Sequence, residues 1–176
     1  MNHPLFFMKF SNVKERCAGA LVRLAGSLLV FLSVSACSNQ LQGVRISTSP
    51  QMRRASVQVD VVGVGGSNRS AMENVPISKY FQAGNALRQS IQAKAMRFGN
   101  GQPDEQSVDR NDPLWRTWLD KKSQSLVIMA DVPGVFDDLP GEADPRRKVL
   151  LLSGKEAPAG VVHLEIFPGG LRQTVP

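Results

Sequence analysis

The chain has few of the residues that build metal centres, covalent cross-links or haem attachment sites. Its 176 residues include 2 Cys and 2 His, and aromatic residues make up 6% of the total. A zinc site of Cys and His ligands, a disulfide framework and a haem attachment motif would each need more of these residues. Hydrophobic residues, at 42%, are sufficient for one packed domain, and the length leaves little room for a second.

The sequence also lacks an apolar run that is long enough to span a membrane. Its longest run, residues 24–36 (LAGSLLVFLSVSA), has thirteen apolar or small residues without a charge, whereas a spanning helix needs about 20. Four basic residues precede this run: Lys9, Lys14, Arg16 and Arg23. A basic leader followed by a short apolar run is typical of an export signal peptide, which we predict over residues 1–36.

The end of the run, Val34-Ser35-Ala36-Cys37, matches the bacterial lipobox. Its small residues let the signal protease approach the backbone, and the cysteine thiol is the nucleophile that takes a diacylglycerol through a thioether. The start of the chain therefore resembles that of bacterial lipoproteins. This resemblance implies that Cys37 is the lipidated first residue of the mature protein, held at a membrane by acyl chains, of which two or more give stable anchoring. A signal-anchor helix with an incidental cysteine and a buried cysteine are the alternatives.

Removal of the signal peptide changes the charge of the protein. Residues 1–36 contain four basic residues and one acidic residue, so the net charge falls from +6 for the whole chain to +3 for residues 37–176. This excess does not predict a nucleic-acid partner. By resemblance to enteric lipoproteins, Ser38 is not the aspartate that retains a lipoprotein at the inner membrane. This implies a location in the cell envelope, at the inner leaflet of the outer membrane and facing the periplasm.

The mature sequence predicts a mainly β fold. Strands are expected near residues 44–48, 55–64, 125–132, 148–153 and 160–167, where apolar residues alternate with polar ones or form short continuous runs. Short helices are expected after Pro76, over 86–96 and after Pro113, with a strand at 94–98 as the alternative to the end of the second helix. The last three strands are joined by turn-rich links without a helical pattern, so we expect them to pair antiparallel.

These elements give a domain organisation with an antiparallel β-sandwich at its centre, and a small α+β domain is the alternative. The predicted segments are a signal peptide (1–36), a lipidated tether (37–54), a β-sandwich (55–170) with a helical insertion (72–122), and a tail (171–176). The tether is expected because residues 38–54 are mostly polar.

This combination of anchor and sandwich resembles one lipoprotein family. The lipobox Val34–Cys37, the early strand at 56–62 and the late run at 126–132 are similar to the outer-membrane lipoprotein of bacterial type VI secretion systems, a transthyretin-like sandwich with a helical insertion. An Asn-Pro near the first strand and a Trp-Arg before the last strand of that family have no counterparts, since Trp115-Arg116 lies earlier. The resemblance implies a non-enzymatic component of an envelope-spanning complex, which binds an inner-membrane protein partner through a loop between strands.

Trp115 and Trp118 are the candidate partner-binding residues. Asp112 and Pro113 predict the start of a helix, on which the two tryptophans share one apolar face. The pair could form an exposed binding anchor, or it could pack a short helix against the end of the sheet core. An exposed pair would also suit the alternative function, a lipoprotein that binds a small molecule or glycan in a pocket beside these residues.

No motif predicts catalysis, a cofactor or a metal ion, and we expect a protein that is not an enzyme. The glycines at 63–66 lack the spacing of a phosphate-binding loop. The acidic residues between 137 and 144 lack EF-hand spacing for calcium, and we expect Asp131 and Asp144 to pair with Arg146 or Arg147. His163 and Glu165 share one face of a strand, but no serine lies in a Gly-x-Ser-x-Gly motif.

Overall fold

A computed structural model describes residues 39–175 of the chain. The predicted signal peptide, the lipobox and Cys37 lie outside the described residues. The strands are β1 (Asn39–Thr48), β2 (Val57–Val64), β3 (Ala93–Phe98), β4 (Glu105–Asp109), β5 (Ser125–Asp131), β6 (Arg147–Leu151), β7 (Ser153–Gly154), β8 (Gly160–Phe167) and β9 (Gly170–Thr174). The helices are α1 (Ser67–Asn74), α2 (Ile77–Tyr80), α3 (Ala86–Ser90) and α4 (Pro113–Asp120), with a 3-10 turn at Gly141–Ala143.

The strands form two sheets, and the predicted mainly β sandwich is confirmed. One sheet has the order β4-β1-β8-β9, with the short β7 paired to β1, and the other has the order β3-β2-β5-β6. Every pairing is antiparallel except that of β1 with β8, which is parallel. The expectation that the last three predicted strands pair with one another holds for β5 and β6 and is wrong for β8, which belongs to the opposite sheet.

One hydrophobic core fills the space between the sheets. Alternate residues of each strand point inward, as a sheet with one buried face requires. The core combines residues from β1, β8 and β4 with residues from β2, β3 and β5, among them Val44, Ile46, Leu164, Val59, Leu126 and Ile128. The two sheets therefore bury their inner faces against each other.

The outer face of the β3-β2-β5-β6 sheet is buried as well. Val127 and Met129 of β5 alternate with the inward residues and pack against Met72, Ile77 and Tyr80 of α1 and α2. This explains why the sequence of β5 is continuously apolar, because a strand that is covered on both faces has no polar side. The helices between β2 and β3 thus form a third layer on this sheet.

The prediction of a tether at 37–54 is wrong for the described part of that segment, because β1 occupies residues 39–48. Leu41, Val44 and Ile46 are buried in the core, while Gln42 and Arg45 are exposed. The polar residues that suggested a tether are the solvent-facing half of a strand, which pairs on one side with β4 and on the other with β8.

Three other segments also differ from the expected boundaries. The helix predicted over 86–96 ends at Ser90 and β3 follows, which confirms the alternative strand at 94–98. The predicted helical insertion at 72–122 contains β3 and β4 as well as helices, and α1 begins before it. The expected tail at 171–176 contains most of β9, whose Leu171 is buried. Both β4 and β9 are short edge strands with few apolar residues, so their sequences carry no clear alternation.

The end of the sandwich at which β1 begins is called the basal end. There Asn39 lies opposite Gly154 of β7. The Leu41 amide donates to the Leu152 carbonyl at 3.0 Å, and the Leu152 amide donates to the Gln124 carbonyl at 2.9 Å. Residues 121–124, which follow α4, and residues 155–159, which follow β7, therefore lie at the basal end.

The opposite end, at which β1 finishes, is called the apical end. The Thr48 amide donates to the Asp104 carbonyl at 2.9 Å, which places loop 99–104 beside loop 49–56. Loop 132–140 also starts there, because Asp131 at the end of β5 lies opposite Gln58 near the start of β2. The two ends thus carry different sets of loops.

Candidate functional site

Trp115 and Trp118 are core residues in the structure. Their side chains are buried, with ring centroids 6.2 Å apart, and the Trp118 indole donates to the Gln92 carbonyl at 3.1 Å. The helix begins as predicted, because the Asp112 carboxylate accepts from the Leu114 amide at 2.9 Å. The exposed binding pair is therefore not formed, and α4 instead packs both indoles into the core.

A buried ion pair that the sequence analysis missed connects β2 with the helical layer. Asp60 is buried and accepts from the Tyr80 hydroxyl at 3.0 Å and from the Arg88 Nε at 2.8 Å. Burial, followed by the nearby Asp60 carboxylate, raises the pKa of Tyr80 above its usual value. The hydrogen bond to Asp60 raises the pKa of Arg88. Asp60 is the one charged residue of the strand predicted at 55–64, which was the available signal, but its partners lie 20 and 28 residues away.

A second polar cluster fixes loop 132–146 against the protein. Arg146 contacts Asp144 at 2.8 Å and Asp138 at 2.7 Å, and its guanidinium lies over the Phe136 ring at 4.9 Å. Asp138 also accepts from the Ser78 amide of α2 at 3.0 Å. The predicted pairing of Asp144 with Arg146 is confirmed, while Asp131 makes no ion pair among the described residues.

Arg147, the next residue, joins that loop to the helical layer from within. Its fully buried guanidinium donates to four backbone carbonyls: Glu73 at 2.6 Å, Leu139 at 3.0 Å, Gly141 at 3.1 Å and Val75. Burial lowers the pKa of this guanidinium from its usual value. Two segments that are more than 60 residues apart in sequence are therefore held by a single side chain.

These contacts bear on the catalytic and metal sites that the sequence analysis considered. Asp138 and Asp144 are occupied by Arg146, and Glu165 accepts from Arg172 at 2.6 Å beside the half-buried His163. Among residues 39–175, no three His, Cys, Asp or Glu side chains are grouped so that they could hold a metal ion. Within the same residues, no helix combines the length and apolar character needed to cross a bilayer.

A shallow depression between α2 and α3 is the candidate for a small ligand. It has a volume of about 230 Å³ and is lined by Gln82, Ala83, Gly84, Asn85, Arg88 and Gln89. Ligand pockets are usually larger, at roughly 300–1,000 Å³, and mostly apolar. The depression is also not lined by Trp115 or Trp118, so it does not form the pocket that a ligand-binding function would need beside them.

The candidate interaction surface is the apical loop, which we define as residues 133–140 (PGVFDDLP). Val135 is fully exposed and Leu139 is 44% exposed, whereas Phe136 between them packs against the core. The bonds of Arg146 and Arg147 to Asp138 and to the Leu139 carbonyl hold this backbone in place. A supported loop that presents apolar side chains to solvent is suited to contact another protein, because little conformational entropy is lost when it binds.

Comparison with known proteins gives likeness only at the level of structure. No protein-family model matches the sequence, and no curated protein matches it. A chain of the solved structure of the T6SS protein TssM C-terminal domain (869-1107) from EAEC has a TM-score of 0.50 and 16% identity, over 76% of this chain and 99% of that chain.

Two further solved structures resemble the sandwich with lower scores. Serratia marcescens Lip, a membrane bound component of the Type VI Secretion System, has a TM-score of 0.48 and 14% identity over 78% of this chain and 97% of its own. The T6SS lipoprotein TssJ1 from Pseudomonas aeruginosa has a TM-score of 0.44 and 8% identity, over 78% and 96%. The likeness with a TM-score of 0.50 shows that the chain resembles in fold a chain of a type VI secretion structure, as the resemblance of its predicted sandwich implied.

Proposed function

We propose that this protein is a lipid-anchored, non-enzymatic assembly component of a bacterial envelope complex of the type VI secretion kind. The observation that carries the proposal is the position of the lipobox. Cys37 directly follows the predicted signal peptide at 1–36 and lies two residues before Asn39, the first residue of β1. The likeness in fold to a chain from a type VI secretion structure agrees with this role.

The anchor determines where the protein works. Acylation of Cys37 by two or more chains holds a protein stably at a membrane surface, whereas one chain binds reversibly. Ser38 in place of an aspartate favours the inner leaflet of the outer membrane, so that the sandwich faces the periplasm. The protein then acts by holding a partner at that membrane.

The side-chain chemistry supports binding rather than catalysis. The buried carboxylates Asp60 and Asp144 are each held by an arginine. A general acid or base needs to reach a substrate and to change its protonation state. In these pairs both oxygens of the carboxylate accept bonds within the protein, so their role is structural: Asp60 connects β2 with the helical layer, and Asp144 helps to fix loop 132–146.

The apical loop is the surface that we assign to the partner. Val135 and Leu139 are exposed on a backbone that Arg146 and Arg147 hold in place, and Asp137 between them is exposed as well. The matching partner is an envelope protein with an apolar recess, because two exposed aliphatic side chains gain free energy only when an apolar surface covers them.

The anchor is tested by Cys37→Ser. The wild-type protein should incorporate a metabolic fatty-acid label and sediment with membranes. The variant should be unlabelled, and it should be soluble or remain as an uncleaved precursor. Fatty-acid label on the variant would contradict the assignment of the lipid to Cys37.

The assembly role is tested by purifying the acylated protein from its host in mild detergent. A defined envelope protein should accompany it, and Val135→Asn should reduce the recovery of that protein. Val175→Asn is the matched control, since Val175 is 93% exposed and lies outside the apical loop. Equal recovery with both variants would contradict the role of the apical loop, and recovery of the lipoprotein alone would contradict the assembly role.

A further inference from the structure

We infer that the basal end of the sandwich sits directly on the membrane surface, so that the apical end points away from the bilayer. This inference rests on the proposed acylation of Cys37. It replaces the long tether with a close contact between the folded domain and lipid headgroups. It also assigns a role to basal residues that the proposed assembly function does not use.

The length of chain between the anchor and the fold sets the geometry. Ser38 is the one residue between Cys37 and Asn39, and Asn39 is already in β1. Two residue steps span at most about 7 Å between the Cα atoms of Cys37 and Asn39. The tether predicted over residues 37–54 would have reached about 60 Å when extended. A lipid on Cys37 therefore brings the start of β1 to the bilayer surface.

Several basal residues surround the start of β1 in the structure. Asn39 pairs with Gly154, and its side-chain amide donates to the Lys155 carbonyl at 3.4 Å. Lys122 lies two residues before Gln124, which is at the basal end. Its amide donates to the Leu119 carbonyl at 2.9 Å, so that the end of α4 lies at the basal end as well. The end of α4 and the turn after β7 consequently approach the bilayer together with the anchor.

The exposed side chains at this end suit a lipid headgroup region. Leu119 is 43% exposed, and Lys121, Lys122 and Lys155 are exposed at the same end of the sandwich. Lysines with long apolar stems and isolated aliphatic residues are favourable at the boundary between water and lipid. Two exposed acidic residues lie at the same end: Asp120 and Glu156. These acids offset part of the lysine charge, and the contact should depend mainly on the anchor.

The same geometry fixes the height of the apical loop. β1 has ten residues and runs from the basal to the apical end, which corresponds to a rise of about 30 Å. The apical end, where the apical loop starts, would then stand about 30 Å from the headgroups, well within the periplasm. A partner from the opposite membrane can reach this loop without contacting the outer membrane.

Site-directed fluorescence in vesicles tests this orientation. The two cysteines of the sequence are Cys17 and Cys37, so a cysteine introduced into the mature acylated protein is its single free thiol. Lys155→Cys and Arg54→Cys place a fluorophore at the basal and apical ends, and each replaces an exposed cation. In vesicles that carry nitroxide headgroup lipids, the label at position 155 should lose most of its emission. The label at position 54 should lose none relative to vesicles without nitroxide.

A flexible insertion provides the matched control. Ten Gly/Ser residues between Ser38 and Asn39 would add a mean reach of about 17 Å, and the quenching at position 155 should fall. Equal quenching at both positions would overturn the orientation, and so would an absence of quenching at both. Fatty-acid labelling of the same samples separates the two proposals. If the fatty-acid label is absent, the proposed anchor and this inference are both refuted. If the fatty-acid label is present but the fluorophore at position 155 is not quenched, only the orientation is refuted.

Discussion

Replacing Arg147 with methionine should destabilise the protein more than any loss of a surface charge. The guanidinium is fully buried and donates to four backbone carbonyls, two at the C-terminal end of α1 (Glu73 and Val75) and two in loop 132–146. Methionine has a similar length and fills much of the same space, so a cavity contributes little to the loss. The dominant effect is that four carbonyl oxygens lose their donor.

The expected loss follows from the number of bonds and from their burial. A hydrogen bond from a charged group contributes about 1.5–3 kcal/mol, but the four bonds share one side chain and are not additive. Removing one partner from a buried charged network typically costs about 3–5 kcal/mol. A domain of this size is stable by about 5–15 kcal/mol, so the variant should still fold.

Urea denaturation followed by circular dichroism measures this loss. Two proteins are compared: residues 37–176 with Cys37→Ser, and the same protein that also carries Arg147→Met. With an m-value of about 2 kcal/mol/M, the midpoint should fall by roughly 2 M. Arg172→Met is the matched control, since Arg172 is 57% exposed and pairs with Glu165 on the surface. The control should cost about 0–1 kcal/mol.

One result would refute the reasoning about Arg147. If Arg147→Met and Arg172→Met shift the midpoint equally, the carbonyls of the two segments obtain other donors or water. The guanidinium would then not be the link between loop 132–146 and the helical layer. The support assigned to the apical loop would lose its main argument as well.

Three further predictions use single contacts. Partial burial acts to raise the pKa of Asp138, but bonds from Ser78 and Arg146 outweigh it and lower the pKa to about 2. Ionised Asp138 therefore stabilises the fold above pH 3.8, its usual pKa. This contribution is lost as the pH falls through about 2. The urea midpoints of the wild type and of Asp138→Asn should therefore converge at the lowest pH. Gly63→Ala would place a Cβ 2.3 Å from Trp118 Cγ and should cost about 1–3 kcal/mol. The same change in a Trp118→Leu background should cost less, and equal losses in both backgrounds would exclude this contact. Tyr80 is the single tyrosine, and because its pKa is raised by burial, tyrosinate absorbance should be absent at pH 10.0 in the folded protein. The fold loses stability as the pH rises further, since only the unfolded chain ionises readily, and a normal titration of the native protein would contradict the burial of the hydroxyl.

The candidate site was predicted from the sequence only in part. The pairing of Asp144 with Arg146 was expected because the two residues are close in sequence. The role of Arg147 was not, since its carbonyl partners in the helical layer lie 72 and 74 residues away. The tryptophan pair shows the same limit, because an apolar helix face is compatible with both burial and binding until the position of the sheet is known.

The sequence by itself determined the features that depend on neighbouring residues. Alternation along β8, the continuous apolar run of β5 and the capped start of α4 all follow from local periodicity and local hydrogen bonds. The lipobox is equally local. These signals specify which face of an element is buried, but they do not specify what covers it.

Tertiary structure decided the rest. It made β1 a central strand, although half of that strand is polar, and it placed β8 parallel to β1 in the opposite sheet from β5 and β6. It also buried Asp60 and Arg147 beside partners that are distant in sequence. The physical reason is that strand pairing and the compensation of a buried charge depend on contacts between distant segments, which form only when the whole chain is packed.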